Sequence, residues 1–456
     1  MSSSTTKTKS SLSKDRFCSC GTAGCVIYPG RQCLKMPCKG SQCKRPIVTK
    51  IFFNEKEYKK EKSIYDNKDN KLKKLDPNED YFLSSYEDCG SINADEIDTI
   101  EKTYDDCKLT SEKPLDDDFS ILHANAKKNL NEDMELAWLK ILNEESDLDD
   151  TSSQQLETIN FSFLGVDLSK KLKHVKKDNL YETILVPFEN IIKAIDLLNK
   201  NNIHHCDIKP TNIVLDKRSN TFKLIDFGLA IFDEISTDNN NRGGFTTGFI
   251  SPEFFYKISG VHIGYGFIED ADRSEYEKNA DKTVIIFTPS LYEFNKSDKK
   301  FIKIPGKSSQ QINTSYYETL VQRNDSLIYS KNDIWSLGCV LKYILQTIVR
   351  LFNKESHTTT DVEINYFKHI IAGLNEIIQQ IHILNISERP DAMEVLNLYE
   401  AFLKKTHPAT MSSTRGRSLF RNSKRLRYGR STVRQKSKSY SKKTPKRKTK
   451  RRRTIK

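Results

Sequence analysis

Asp207, Lys209, Asn212 and Asp226 stand close enough in one stretch of this chain to do chemistry together. The stretch reads His205-Cys206-Asp207-Ile208-Lys209-Pro210-Thr211-Asn212, then Leu224-Ile225-Asp226-Phe227-Gly228. A carboxylate at Asp207 could receive a hydroxyl proton. The ammonium of Lys209, two residues on, could neutralise a moving phosphate. Asn212 and Asp226 supply hard oxygen ligands suited to Mg2+. Phosphoryl transfer needs little more, because it rests on positioning and charge neutralisation rather than on covalent help. For the two metal ligands to meet, the chain between them must double back. Ile213-Val214-Leu215 and Thr221–Ile225 flank Asp-Lys-Arg-Ser-Asn, the pattern of a β-hairpin.

These residues resemble the eukaryotic-type protein kinase family, whose catalytic loop reads H-R-D-x-x-x-x-N and whose metal motif is D-F-G. The resemblance implies a two-lobed α+β fold, with a β-rich small lobe, an α-rich large lobe, and ATP and Mg2+ between them. It also implies catalytic roles for Asp207, Lys209 and Asn212, and Mg2+ ligation by Asn212 and Asp226. Other pieces follow in the family's order. Ser19-Cys20-Gly21-Thr22-Ala23-Gly24-Cys25-Val26 resembles a degenerate glycine-rich loop, with serine in place of the first glycine. Gly21 and Gly24 would let the backbone approach the ATP phosphates, and Val26 would cover the adenine. By itself such a stretch is more often a hairpin turn, and its order in the chain is what favours the glycine-rich loop. Val48-Thr49-Lys50-Ile51-Phe52 is similar to the strand that bears the ATP lysine. Glu57–Tyr65 reads as a charged helix, in which Glu61 is the candidate partner of Lys50 and Glu57, one turn earlier, is the alternative.

Further along, Thr246-Thr247-Gly248-Phe249-Ile250-Ser251-Pro252-Glu253 resembles the segment that closes the activation loop. Thr246 aligns with the threonine that hydrogen-bonds the catalytic Asp and Lys in Ser/Thr kinases. Asp333-Ile334-Trp335-Ser336-Leu337-Gly338 resembles the buried helix that anchors the catalytic loop, and Glu388-Arg389-Pro390 the motif whose arginine pairs with Glu253. Two departures stand out. Cys206 replaces the arginine that normally binds a phosphate on the activation loop, so the loop is expected to be ordered without phosphorylation, with the thiol packed. The interval from Glu253 to Asp333 is 80 residues, which calls for an insertion (about 256–328), read as a surface excursion, with a carrier of substrate contacts as the alternative.

The elements that must position these groups can be laid along the chain. Residues 1–16 are Ser/Thr/Lys-rich and expected to be disordered. The kinase-like domain spans 17–405, with the small lobe at about 17–165 and the large lobe at about 166–405. Asn93–Asp150 carries eighteen acids against six lysines and reads as an acidic insertion. It would be preceded by a strand at Tyr81–Tyr86 and followed by one at Ile159–Leu164. Inside it, Leu130–Leu142 has apolar residues at helical spacing. Phe188–Asn201 reads as the amphipathic helix that delivers the catalytic loop.

The 456 residues can hold two lobes and tails, and 36% hydrophobic content leaves room for disordered segments. No stretch reads as long and apolar enough to span a bilayer, so no membrane partner is expected. The start lacks the apolar run of a secretion signal, so an intracellular protein with mostly reduced cysteines is expected. Six of the ten cysteines (Cys18, Cys20, Cys25, Cys33, Cys38, Cys43) crowd the first lobe. The spacing Cys33-x4-Cys38-x4-Cys43 lacks the C-x2-C knuckles of common zinc sites.

The tail, 406–456, changes character. From Arg415 to Lys456 there are eleven Arg and nine Lys and no acid. Without those twenty, 54 of the 74 cations remain against 61 anions, a balance of −7. Such a run is expected to be disordered and to suit non-specific contact with nucleic-acid phosphates. Pro445–Arg453 resembles a nuclear-localisation run.

The reading is therefore an ATP- and Mg2+-dependent kinase acting on Ser/Thr hydroxyls of protein substrates. The alternatives are a pseudokinase scaffold and a nucleic-acid-associated protein acting through its tail. The insertions, Leu75-Asp76-Pro77 and the His-Cys-Asp-Ile-Lys-Pro loop resemble the divergent Ser/Thr kinases of nucleocytoplasmic large DNA viruses. That resemblance implies a host cytoplasm or virion as its location, and the basic tail points to a nucleus.

Overall fold

The computed structural model describes residues 17–20, 24–28, 30, 46–52, 55–65, 70–91, 157–232, 246, 248–259, 284–287, 289–306, 309–323, 327–355 and 359–408. Several expectations fall outside them: residues 1–16, Gly21, the cysteines at 33, 38 and 43, the acidic insertion 93–150, Thr247 and the basic tail from 409 onward.

β-branched residues dominate Ile47–Phe52 (β3), and they favour a pleated, buried strand. It lies at the centre of a five-stranded sheet with Phe17–Cys20 (β1), Gly24–Tyr28 (β2), Tyr86–Ser91 (β4) and Glu157–Ser162 (β5), in the order β1-β2-β3-β5-β4. Antiparallel pairing sets Val26 and Ile159 opposite Lys50 on the neighbouring strands. The three therefore form one row on one face of the sheet. On the other face, Thr49 Oγ1 donates to its cross-strand partner Asn160 Oδ1 at 2.6 Å. The helix Glu55–Tyr65 buries Tyr58, Glu61 and Tyr65, a three-four spacing that is one helical face.

The strand expected at Tyr81–Tyr86 instead begins at Tyr86. The Asp76 carboxylate accepts the backbone N–H groups of Asp80 (2.9 Å), Tyr81 (2.7 Å) and Phe82 (3.1 Å), which bends this stretch into a turn. Its continuation pairs with the large lobe: Leu83 N–H donates to Leu224 C=O at 3.1 Å, and Leu224 N–H to Tyr81 C=O at 3.0 Å.

The large lobe is helical. Val186–Asn199 runs beside Leu327–Lys354, Asp361–Ile381 and Ala392–Thr406, and their apolar faces make one continuous core. Pro187 costs little in the first turn of its helix. The expected hairpin is present, as Ile213–Asp216 (β7) paired antiparallel with Thr221–Leu224 (β8). The short strands Ile203–His204 (β6) and Ile231–Phe232 (β9) pair on either side of it.

Two expectations need correction. Leu327–Lys354 is long and apolar enough to cross a membrane by length and composition, yet 67% of its apolar window is buried in the protein. It is the central helix of the lobe. The 256–328 insertion is not a surface excursion where it is described. Val284–Phe287 (β10) pairs with Gln310–Asn313 (β13), Leu291–Asn295 (β11) pairs with Lys300–Ile304 (β12), and the helix Thr314–Gln322 follows. Phe301 packs edge-on against Phe352 at 4.9 Å, Asn353 bonds both backbone groups of Phe301, and Tyr317, fully buried, donates to Leu384 C=O at 3.0 Å. Among the described cysteines, Cys206 and Cys339 are thiols and Cys89 is disulfide-bonded.

Candidate active site

Lys50 is buried in the middle of β3, where an ammonium needs partners. It has two: Glu61 Oε2 at 2.5 Å and Asp226 Oδ1 at 2.9 Å. Desolvation alone would lower the Lys50 pKa. The two carboxylates reverse that and hold it above its ordinary value. Burial pushes Glu61 up to about 7, while Lys50 pulls it back. Desolvation also opposes the charge on Asp226, but Lys50 outweighs it and keeps this carboxyl at about 2. Helix register thus resolves the choice between Glu61 and Glu57 in favour of Glu61. Gly228 leaves room beside them, where a Cβ would crowd Glu61 Oε2 at 3.2 Å and touch Asp226 Oδ1 at 3.4 Å.

The catalytic loop gathers the rest. Asp207 Oδ1 accepts from Thr246 Oγ1 at 2.8 Å, and Oδ2 accepts from Asn212 Nδ2 at 2.9 Å and pairs with Lys209 Nζ at 2.8 Å. Lys209 Nζ also donates to Thr246 Oγ1 at 2.8 Å. The loop is held from below. Asp333, buried in the central helix, accepts the N–H groups of His205 and Cys206, each at 2.8 Å. Burial pushes the Asp333 carboxyl up to about 7, against the pull of those two donors. Burial also lowers the His205 pKa, which favours the neutral ring. Nε2 then donates to Ile225 C=O at 3.1 Å, and Nδ1 accepts from Asp207 N–H at 3.3 Å. Cys206 (φ 60°) and Asp226 (φ 64°) both hold left-handed backbone, strain of the kind that persists where surrounding contacts over-determine it.

Glu253 and Arg389 meet as expected, with Arg389 Nη1 and Nη2 on the two Glu253 oxygens at 2.5 and 3.2 Å. Both side chains are 0% exposed. Gly24 opens β2, Val26 shares its row with Lys50, and Gly21 lies outside the described residues.

Sequence reasoning did not single out the aromatic column behind the site. Tyr65 packs on Phe161 at 5.3 Å, and its hydroxyl accepts Phe227 N–H at 3.5 Å. Phe227 packs on His205 at 4.8 Å. The available signal was spacing: Tyr65 lies four residues after Glu61, on the same helical face. Tyr58 and Lys62 were missed too. Both bond Asp88 on β4, at 2.7 and 2.5 Å, and hold the helix against the sheet.

The donors suit Mg2+–ATP. Asn212 uses its amide N–H groups on Asp207, which leaves its amide oxygen as a hard ligand. Asp226 engages Lys50 through one oxygen, and its side chain is 38% exposed. Two such ligands are what Mg2+ takes when substrate phosphates and water complete its shell.

Residues 163–265 match the family model described as the protein kinase domain. The fold is that of a protein kinase domain. Its β-rich N-terminal region and helical C-terminal region follow the order this domain requires. The chain is similar to human dual specificity tyrosine-phosphorylation-regulated kinase 3, with 40% identity over 76 residues, 16% of this chain and 13% of the relative. It is similar to Dictyostelium discoideum dual specificity protein kinase zak2, with 37% identity over 79 residues, 17% and 11%. It is also similar to Drosophila melanogaster dual specificity tyrosine-phosphorylation-regulated kinase 2, with 36% identity over 87 residues, 19% and 12%. The chain thus spans about an eighth of the length of these curated relatives.

One prediction for the Lys50 pair rests on the ATP use proposed below. Glu61→Gln should lower kcat/KM for ATP about ten- to a hundredfold, the worth of a charge-assisted hydrogen bond, while Glu57→Gln changes it less than about twofold. Steady-state kinetics on both variants decides this. A larger loss with Glu57→Gln would assign the pair wrongly.

Proposed function

We propose that this chain is a protein kinase that transfers the γ-phosphoryl group of ATP, with Mg2+, to Ser or Thr hydroxyls of proteins. The arrangement that carries the reading is the Asp207–Thr246–Lys209 set beside the Lys50–Glu61–Asp226 chain. Asp207 would orient the acceptor hydroxyl and take its proton, and Lys209 would neutralise the transferred group. Lys50 would steady the ATP phosphates, with Gly21, Gly24 and Val26 around the nucleotide. Asn212 and Asp226 would hold Mg2+, whose contribution is to neutralise charge between the phosphates. All the core groups are present, which favours an enzyme over a scaffold, although Ser19 departs from the glycine pattern. The Ser/Thr reading is supported by the engaged hydroxyl of Thr246. The relatives' names speak of dual specificity and tyrosine phosphorylation. From Asp226 to Glu253 this chain holds no tyrosine. ATP turnover by the full chain on a generic basic protein tests the proposal, and a protein that binds ATP without turnover would be a scaffold.

Activation is the first consequence. With Cys206 where an arginine would stand, no cation precedes Asp207 to clamp a phosphorylated loop. Protein made without other kinases and treated with phosphatase should keep its activity. Loss of activity on that treatment, restored by phosphorylation at Thr246 or Thr247, contradicts it.

The tail supports a second activity, since twenty cations without an acid favour phosphate backbones through counterion release. Cutting the chain near Ser412 should spare ATP turnover on a small peptide and sharply weaken salt-dependent binding to DNA or RNA. Undiminished binding at the same salt would give the tail another role. A nuclear destination and a viral origin belong to this proposal and rest on sequence resemblance.

A further inference from the structure

Thr246 comes to the site from outside the loop that carries Asp207 and Lys209, and its hydroxyl is held 2.8 Å from Asp207 Oδ1 and 2.8 Å from Lys209 Nζ. The backbone next to it shows how. Phe249 N–H donates to Thr246 C=O at 3.2 Å, closing a four-residue turn. Gly248 is the third residue of that turn, at φ +84°. This is the position and the sign of φ at which tight turns call for glycine. Packing makes no such demand among the described residues, none of which a Cβ on Gly248 would meet within 4 Å. The glycine is required by conformation alone.

Beyond the turn, the central helix fixes the chain. Ser336 Oγ donates to Phe249 C=O, and Asn332 Oδ1 accepts Ser251 N–H at 2.9 Å. Asp333, between them in sequence, holds His205 and Cys206. One turn of one helix therefore fixes both the catalytic loop and the strand of chain that brings Thr246. Within that frame the turn at Gly248 links Thr246 to the fixed chain. If it opens, the Thr246 hydroxyl leaves and Lys209, already 2.8 Å from Asp207 Oδ2, keeps its charge on the carboxylate alone.

We propose that Gly248 is a positioning residue of the phosphoryl-transfer site, whose left-handed backbone seats the Thr246 hydroxyl between Asp207 and Lys209. The kinetic part of this proposal rests on the kinase reading above; the turn itself does not. The test uses the full chain with Gly248→Ala and Gly248→Asn, each alone and combined with Thr246→Ala. Gly248→Ala should lower kcat roughly tenfold, the size of the left-handed penalty for an L-alanine, and leave KM for ATP unchanged. Asparagine tolerates this backbone, so Gly248→Asn should retain most of kcat. In the Thr246→Ala background, Gly248→Ala should add less than about a twofold loss, because the hydroxyl it positions is gone. Hydrogen exchange of the Phe249 amide, followed in the same proteins, should be about tenfold faster with alanine and near wild type with asparagine. The proposal is overturned if alanine leaves Phe249 exchange at the wild-type rate, or if it lowers kcat equally with and without the Thr246 hydroxyl. A wild-type chain that transfers no phosphate at all would overturn the kinase reading, and Phe249 exchange would still decide whether Gly248 sets the turn.

Discussion

Asp207→Asn is expected to lower phosphate transfer about a hundred- to ten-thousandfold, the range for removing a general base, while ATP binding is kept. The separation follows from the geometry. Asp207 contacts Thr246, Asn212 and Lys209, whereas Lys50, Glu61 and Asp226, the group proposed above to steady the nucleotide, contact one another. An asparagine also fills the same volume, so the loop that Asp333 holds should remain in place. Rates of transfer to a protein substrate, with nucleotide binding measured in parallel, check both halves. A variant with wild-type turnover removes Asp207 from the chemistry. A variant that loses nucleotide binding instead would mean that the loop has collapsed.

Breaking the Glu253–Arg389 pair should cost about 3–5 kcal/mol of folding stability, because either partner alone becomes an uncompensated buried charge. Arg389 is more than half of a pair. It donates to Ile383 C=O and Lys331 C=O, and its guanidinium lies 4.8 Å from the Trp335 ring. It thus ties the start of the helix Pro252–Ser259 to the central helix and to the loop before Ala392–Thr406. Arg389→Met and Glu253→Met should each be strongly destabilising in denaturant unfolding. The double variant should be less destabilised than the sum of the two, since no charge is then left unpaired. Single variants that cost under about 1 kcal/mol, the value typical of an exposed pair, would show that the bridge contributes little.

The gathering of the candidate site's groups was legible in the sequence because they lie in short, nearly contiguous motifs. Asp207, Lys209 and Asn212 share one loop, and the hairpin bringing Asp226 back is announced by its turn residues. Lys50 with Glu61, and Glu253 with Arg389, were readable only through resemblance, since nothing local says which charge a distant residue will meet. Glu57 and Glu61 differ by one helical turn, and burial of Tyr58 and Tyr65 decides between them. The strand shift to Tyr86 was hidden because a single carboxylate, Asp76, captures three amides that a strand would have used. The insertion misled for a different reason. Its Lys- and Asn-rich composition reads as surface, but Asn353 and Asn375 turn those strands into a layer by bonding the backbones of Phe301 and Tyr292. An apolar central helix reads alike in a membrane and in a protein core until its neighbours are known. The disulfide at Cys89 depends on which residues the fold brings together, and composition carries no trace of that.

The central claim is that the Asp207 site hands the γ-phosphoryl group of ATP to a protein hydroxyl. The most direct measurement is incubation of the full chain with Mg2+ and γ-labelled ATP in the presence of a basic protein, followed by identification of the labelled residues. The account predicts label on serine and threonine that requires Mg2+ and is lost with Asp207→Asn. Absence of label, or label confined to tyrosine, would contradict it.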